Sequence, residues 1–381
     1  MITRGFNKLD RLLKDKVERA QEVSGAVVLV RGLNGVVFHE AYGLRQRIPS
    51  ALAMTKDTVF DLASLTKPLC TSLLTMILAQ KGKLDLDQSL GIWFDPFGDP
   101  AKRRITVRQL LSNRSGLPGW RPFYQEYPQD LRPISAEEMA QRVLAEPLEM
   151  SPGAREIYSD LGFILLGSIL ERASGLSLDR LFQEELAQPL GLRHMGYRRI
   201  SGRQRGAAGT EETTAATEFC DWRNRVLVGE VHDENCHLLG GVAGHAGLFS
   251  TADDLDRIAA ELFEASRGRS ELFWAASVKT FFERQGSPAQ GTWALGWDTP
   301  SETDSAAGRY YSKNSFGHNG FTGTSLWMDF DRSISVVFLT NRVHPSRENT
   351  AIRALRPQVH DAVFQEMLLH QKQEGVRKSP L

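Results

Sequence analysis

Cysteine is scarce in this sequence. Only Cys70, Cys220 and Cys236 occur in 381 residues, too few for a disulfide scaffold. No CxxC pair is present to found a structural zinc ribbon. Neither sign of charge prevails: 46 basic side chains stand against 46 acidic ones. That balance argues against a nucleic-acid partner, where a basic excess is usual. Arginine outnumbers lysine 34 to 12, but the arginines are scattered and form no stripe. No apolar run approaches the roughly 20 residues that span a bilayer. The opening segment MITRGFNKLDRLLKDKVERA is polar and lacks the apolar stretch of a signal peptide. The expectation from these absences is a soluble, cytoplasmic protein with no transmembrane segment. At 41% hydrophobic and 24% charged, the composition is that of a globular chain long enough for a large core.

Residues 5–22 space their apolar positions as a helix does. GAVVLVRG (25–32) and GVVFHEAYG (35–43), joined by a short Gly-Leu-Asn-Gly turn, predict an antiparallel hairpin. Helical patterns dominate from about Ser64 to Gly191, broken by Gly/Pro-rich loops such as 115–122. The small, polar stretch 201–217 predicts an exposed loop. GGVAGHAGLFS (240–250) reads as a glycine-rich turn into a strand. A helix capped by Ser/Thr with an acidic first turn follows over 250–266. TSLWMDF (324–330) and ISVVFLTN (334–341) predict a second hairpin, turned at Asp331–Arg332, and a C-terminal helix over 347–370 contains Pro357 as a break or kink. Strands at both ends and helices between them predict an α+β fold: one antiparallel sheet flanked by helices. Residues 1–64 and 240–381 would form the sheet domain and 65–239 an inserted, mostly helical domain, with the active site at their junction.

Nucleophile motifs narrow the chemistry. No GxSxG elbow and no HExxH are present. One SxxK occurs, Ser64-Leu65-Thr66-Lys67, and 28 serines with 12 lysines give roughly one such match by chance. Its setting adds weight. Three residues apart on a helix share a face, so the lysine amine reaches the serine hydroxyl. Pro68 places the pair at a helix start, where the dipole favours developing negative charge. The apolar run that follows would partly desolvate Lys67, lowering its pKa and freeing it as a base.

FDLASLTKP (60–68), KGKLDLDQSL (81–90), ITVRQLLSNRSGLPG (105–119), PGAREIYSDLGFILLGSILERASG (152–175) and GHNGFTGTSLWMD (317–329) occur in that order. This series resembles the serine β-lactamase and penicillin-binding-protein superfamily, closest to its class C-like branch of esterases, peptidases and amidases, over roughly residues 24–341. The resemblance implies Ser64 as the acylated nucleophile and Lys67 as its proton partner. Its second motif falls on Tyr158-Ser159-Asp160, with Tyr158 shuttling a proton to the leaving group as a phenolate stabilised by the lysine. Its third motif falls on His318-Asn319-Gly320. The amide of Phe321 would then form the oxyanion hole with the amide of Ser64, and Gly320 would let substrate lie against the strand. Two departures stand out. Asp160 replaces the usual asparagine; a carboxylate there would hold Lys67 protonated and oppose a Tyr158 phenolate. His318 replaces a lysine that attracts a substrate carboxylate; neutral histidine attracts it less but can hydrogen-bond the Tyr158 hydroxyl.

VHDENCHLLGGVAGHAGLFST (231–251) and TNRVHP (340–345) resemble a sub-branch that includes cytoplasmic muramoyl-amidases of cell-wall recycling. His232, His237 and His245 match no common metal-ligand spacing, and His232 is expected to line the cleft or order a loop. The resemblance implies neither metal nor cofactor. The reading is a serine hydrolase that cleaves an amide or ester through an acyl-enzyme on Ser64, its substrate a muropeptide or small carboxylic ester. The alternatives are a β-lactamase or D-Ala-D-Ala carboxypeptidase, a catalytically silent binder of peptidoglycan fragments, and a metal hydrolase using the 232–245 histidines. The sequence leaves the oligomeric state open.

Overall fold

The computed structural model describes the chain apart from residues 1–5, 95–97, 129–132, 201–212, 287–290 and 378–381. The central sheet is drawn from both halves of the chain. Its first strands are β1 (Gly25–Gly32), β2 (Gly35–Gln46) and β3 (Leu52–Ala53). Shorter strands follow as β4 (Phe60–Asp61), β5 (Gly196–Tyr197), β6 (Phe219–Cys220), β7 (Arg225–Val226) and β8 (Leu248–Ser250). The last three are β9 (Ser315–Asn319), β10 (Ser325–Asp329) and β11 (Ile334–Thr340). The main sheet has six strands in the order β3-β2-β1-β11-β10-β9, and its ladders are antiparallel. Both expected hairpins are present, and the closing pairing joins Ala26 to Thr340 and Arg31 to Ser335.

Alternation explains why β1 and β11 sit in the middle. Successive side chains point to opposite faces of a strand. Val27, Leu29, Val337 and Leu339 enter the large core on one face, whereas Ala26, Val28, Val30, Val336 and Phe338 enter a second core on the other. A strand buried on both faces must be apolar at consecutive positions, as VVLV and VVFL are. Helices Asn7–Leu13 and Ile352–Arg377 cover the second core. They are tied by the main-chain amide of Leu9, which donates to Glu366 Oε2 at 3.2 Å. Helix Ala252–Ser266 covers the opposite face, capped at Thr251 as its sequence indicates.

Between the two groups of strands lie the helices of residues 63–191. Leu73–Gln80 and Asp160–Ser174 are apolar around most of their circumference, the mark of a helix enclosed by others. Among the described residues no single helix is long and apolar enough to cross a membrane.

Two expectations are corrected. The stretch 201–217 was expected to be exposed; residues 201–212 lie outside the described residues, but Thr214, Ala215, Ala216 and Thr217 are buried. Their backbone runs beside other chain segments, with Ala215 N donating to Val59 O and Thr217 N to Leu227 O, both at 2.9 Å. Small side chains there permit close approach rather than marking solvent. The C-terminal helix begins at Ile352, not 347, and continues through Pro357 to Arg377.

Candidate active site

Ser64 lies in a single 3-10 turn, Ala63–Leu65. A wide π turn over Lys67–Ser72 and then helix Leu73–Gln80 follow it. Pro68 at the first positions of the π turn has no N–H to satisfy, so it fits there at no hydrogen-bonding cost. Such wide turns recur at functional positions. Lys67 is fully buried. Its ammonium donates to Ser64 Oγ at 2.9 Å and to the carbonyl of His245 at 3.2 Å, and it meets Asp160 Oδ1 at 2.6 Å. It also lies 4.9 Å from the ring centre of Tyr158.

Each partner arrives on a different element. Asp160 is the first residue of helix Asp160–Ser174, capped by the hydroxyl of Ser159. The carbonyl of His245 comes from the glycine-rich loop before β8. That loop lies flat on the same helix because Gly244 has no side chain: a Cβ there would sit 2.1 Å from the Phe163 carbonyl. His245 Nε2 in turn pairs with Asp233 Oδ1 at 2.9 Å.

The charge states follow from this crowding. Burial alone would lower the Lys67 pKa, but the Asp160 carboxylate and the Tyr158 oxygen outweigh it and hold the lysine above its ordinary value. Of the two opposing expectations for Lys67, lowering by the apolar run and protonation held by Asp160, the second prevails. Tyr158 is raised, because burial of its hydroxyl and the Asp160 charge outweigh the stabilisation Lys67 offers a phenolate. The resting site therefore holds an ammonium, a carboxylate, a phenol and a serine hydroxyl.

His318 ends β9 beside this group. Burial, then the charge of Lys67, pushes it down to about 3, so it is neutral near physiological pH. Its Nδ1 pairs with the Asn319 carbonyl at 2.9 Å, and its Nε2 has no protein partner among the described residues. The expected bond to the Tyr158 hydroxyl is not formed; the rings instead lie 5.8 Å apart. Asn319 turns its side chain to Trp327 Nε1 at 3.1 Å. Phe321 is 48% exposed beside the site. Among the described residues, neither its amide nor that of Ser64 donates to a protein acceptor.

His232 does not line the cleft directly. It is buried behind Phe321, with the two rings stacked 5.5 Å apart, and its Nε2 faces Glu218 Oε1 at 3.2 Å. Arg347 and His232 hold Glu218 down at about 2 against the opposing effect of its burial. The three histidines do not converge: His232 faces Glu218, His237 faces Glu230 and His245 faces Asp233. Glu218, Cys220 and Glu234 do present donor atoms close together. Arg347 already occupies both carboxylates there, with Nε 2.9 Å from Glu218 Oε1 and Nη2 2.6 Å from Glu234 Oε1, so the cluster is a closed ion-pair network.

Sequence reasoning missed Trp293, which stacks on Tyr158 at 5.4 Å and lies 5.2 Å from His318. Glu156 fixes its loop by accepting from the Thr292 amide at 2.9 Å and the Trp293 amide at 3.3 Å. No spacing signals a residue that joins a site only through tertiary packing.

The Beta-lactamase family model matches residues 9–360. An N-acetylmuramyl-L-alanine amidase of Bacillus subtilis (strain 168) is 30% identical over 366 residues, covering 90% of this chain and 82% of that protein. An Escherichia coli (strain K12) protein named "Putative D-alanyl-D-alanine carboxypeptidase" is 30% identical over 368 residues, covering 89% of this chain and 82% of its own. Among solved structures, EstCE1, described as a hydrolase with promiscuous acyltransferase activity, superposes with a TM-score of 0.73 at 24% identity. It covers 94% of this chain and 97% of its own, and speaks to the fold. This chain belongs to the Beta-lactamase family and is a serine hydrolase of that family.

Proposed function

We propose that Ser64 is acylated during hydrolysis of an amide bond in a cell-wall muropeptide, in a cleft where the helical residues 65–239 meet the sheet residues of 1–64 and 240–381. The observation that carries this reading is the Lys67 ammonium, within 2.9 Å of the Ser64 hydroxyl oxygen and 2.6 Å of the Asp160 carboxylate. A charged lysine cannot itself accept a proton, so the geometry favours a relay. Ser64 Oγ bonds to the substrate carbonyl carbon and passes its proton to Lys67 Nζ as Lys67 gives one to Asp160 Oδ1. The amides of Ser64 and Phe321 receive the negative oxygen. Tyr158, neutral at rest, protonates the leaving nitrogen as the carbon–nitrogen bond breaks. It then regains a proton from Lys67, which is refilled by Asp160. Water repeats the sequence on the acyl-enzyme.

The names of the amidase and carboxypeptidase relatives support a muropeptide substrate. Neutral His318 supports a second reading, a small carboxylic ester, because no cation stands at that position to hold a substrate carboxylate. The test is a fluorophosphonate probe with a substrate panel of muramoyl-peptide, D-Ala-D-Ala peptide, short p-nitrophenyl esters and a chromogenic cephalosporin. The probe should add its mass to the peptide holding Ser64, and Ser64→Ala should abolish both labelling and turnover. Labelling that persists in Ser64→Ala would overturn the assignment.

A further inference from the structure

Asp61, the last residue of β4 and three residues before the nucleophile, is a buried carboxylate whose partners are main-chain amides rather than a cationic side chain. Oδ1 accepts from the Ala63 amide at 2.8 Å, and Oδ2 accepts from the His232 amide at 2.6 Å. Burying a charge without a counter-charge is unfavourable, so the position calls for a local reason. The backbone it grips supplies one. Ala63, directly before Ser64, has φ +46°, a conformation that residues with a Cβ rarely adopt and that neighbouring contacts must hold in place. The bond from Asp61 to the Ala63 amide closes that turn.

Asp61 and its neighbour Leu62 also hold the far side of the site. The carbonyl of Asp61 accepts from the Thr322 hydroxyl at 2.7 Å, and the carbonyl of Leu62 accepts from the Thr324 hydroxyl at 3.0 Å. Gly320 closes the turn between β9 and β10, donating its amide to the Thr324 carbonyl at 2.7 Å. That turn comes so near the nucleophile turn that a Cβ on Gly320 would lie 2.4 Å from the Leu62 carbonyl. Phe321, between Gly320 and Thr322, is thereby fixed relative to Ser64. A fourth tie runs from the Asp61 carboxylate through the His232 amide to the imidazole stacked on Phe321.

We infer that Asp61, with Thr322, is a positioning residue that sets the spacing between the two oxyanion donors, the amides of Ser64 and Phe321. The inference rests on the acyl-enzyme reading of Ser64. The donors lie on segments more than 250 residues apart in sequence. A donor displaced by a fraction of an ångström loses much of its effect on a developing oxyanion while ground-state binding hardly changes.

The experiment uses the full-length enzyme with p-nitrophenyl acetate as substrate and phenylboronic acid as probe. The boronic acid gains a bond from Ser64 Oγ to boron and becomes a tetrahedral anion, the serine proton leaving through Lys67 to Asp160. Its affinity therefore reports the oxyanion donors. Asp61→Asn replaces one acceptor by a donor that opposes an amide. It should lower kcat about tenfold or more with KM within about twofold, and weaken boronate binding by the same factor. Thr322→Val should do the same to a smaller extent, and Thr322→Ser, which keeps the hydroxyl, should stay near wild type. Ala63→Gly placed in the Asp61→Asn background should recover part of kcat, because glycine holds a positive φ without help. That recovery would place the effect in the turn itself, and the loss of kcat at nearly constant KM separates positioning from a general loss of structure.

Wild-type kcat and boronate affinity in folded Asp61→Asn and Thr322→Val would overturn the inference. Should Asp61→Asn not fold, the Thr322 pair decides alone. Ser64→Ala separates the two readings: if it keeps turnover, the acyl-enzyme reading fails. If it is inactive while the positioning variants behave as wild type, only the present inference fails.

Discussion

Lys67 shows how little a side chain's identity says about its charge. Burial works to neutralise it, but Asp160 at 2.6 Å and the Tyr158 oxygen keep the proton on. Removing Asp160 removes the charge that chiefly opposes burial, and burial then carries the lysine pKa downward. In Asp160→Asn the relay has lost its terminal acceptor, so reaction requires a neutral lysine. Its kcat/KM should rise with pH through the lowered lysine pKa, giving an acidic limb that the wild type lacks in that range. Rates measured from about pH 5 to pH 10 check this; an unchanged profile would separate Asp160 from the proton path. Ser64, Lys67, Tyr158 and His318 were all legible as residues, because each falls on a quotable motif. Their protonation was legible only as opposing tendencies. The apolar run lowers Lys67 and Asp160 raises it, and the close ion pair decides between them; burial beside a cation keeps His318 neutral. Asp61 was legible only as a letter in FDLASLTKP, since its function is to grip main-chain amides, which no side-chain pattern encodes.

Elements were easier to read than loops. The hairpins of β1–β2 and β10–β11 follow from alternation and turn chemistry within one stretch of chain, and helix Ala252–Ser266 from its cap and amphipathic pattern. The segment 214–217 misled because small polar residues suit both an exposed loop and a backbone pressed between neighbours. Which applies is decided by neighbours the segment itself does not name, Val59 far away in sequence and Leu227 across a short turn. Helix Asp160–Ser174 is where element and site meet. The Ser159 hydroxyl accepts from the Gly162 amide at 3.1 Å and donates to the Pro118 carbonyl at 2.6 Å, anchoring the turn that carries Asp160. Ser159→Ala should cost on the order of 1–2 kcal/mol in urea unfolding, the usual range for a lost N-cap. It should also lower kcat severalfold as Asp160 loosens. Ser159→Thr, retaining the hydroxyl, should recover most of both.

At the scale of the molecule, two cores share one sheet. The site belongs to the face packed against the helical region, while the second core is enclosed by helices Asn7–Leu13 and Ile352–Arg377. The two should respond separately to mutation. Leu9, fully buried in the second core, should cost about 2–4 kcal/mol when replaced by alanine, read as a lower denaturant midpoint. Its kcat per active site, counted by fluorophosphonate titration, should match wild type. A fall in kcat would mean that packing behind the sheet reaches the site.

The pairing of Ala26 with Thr340 has a consequence for synthesis. A ribosome delivers the nucleophile turn early and the Gly320–Thr324 turn late, with some 250 residues translated between them. Until β9–β11 emerge, the hairpin of β1 and β2 waits with an open edge, and Ser64 lacks beside it the turn that carries Phe321, the proposed second oxyanion donor. Pairing over such sequence distances is slow to form. On the proposed reading, a chain stalled before β9 would carry the serine and lysine without the Phe321 amide that completes the oxyanion site.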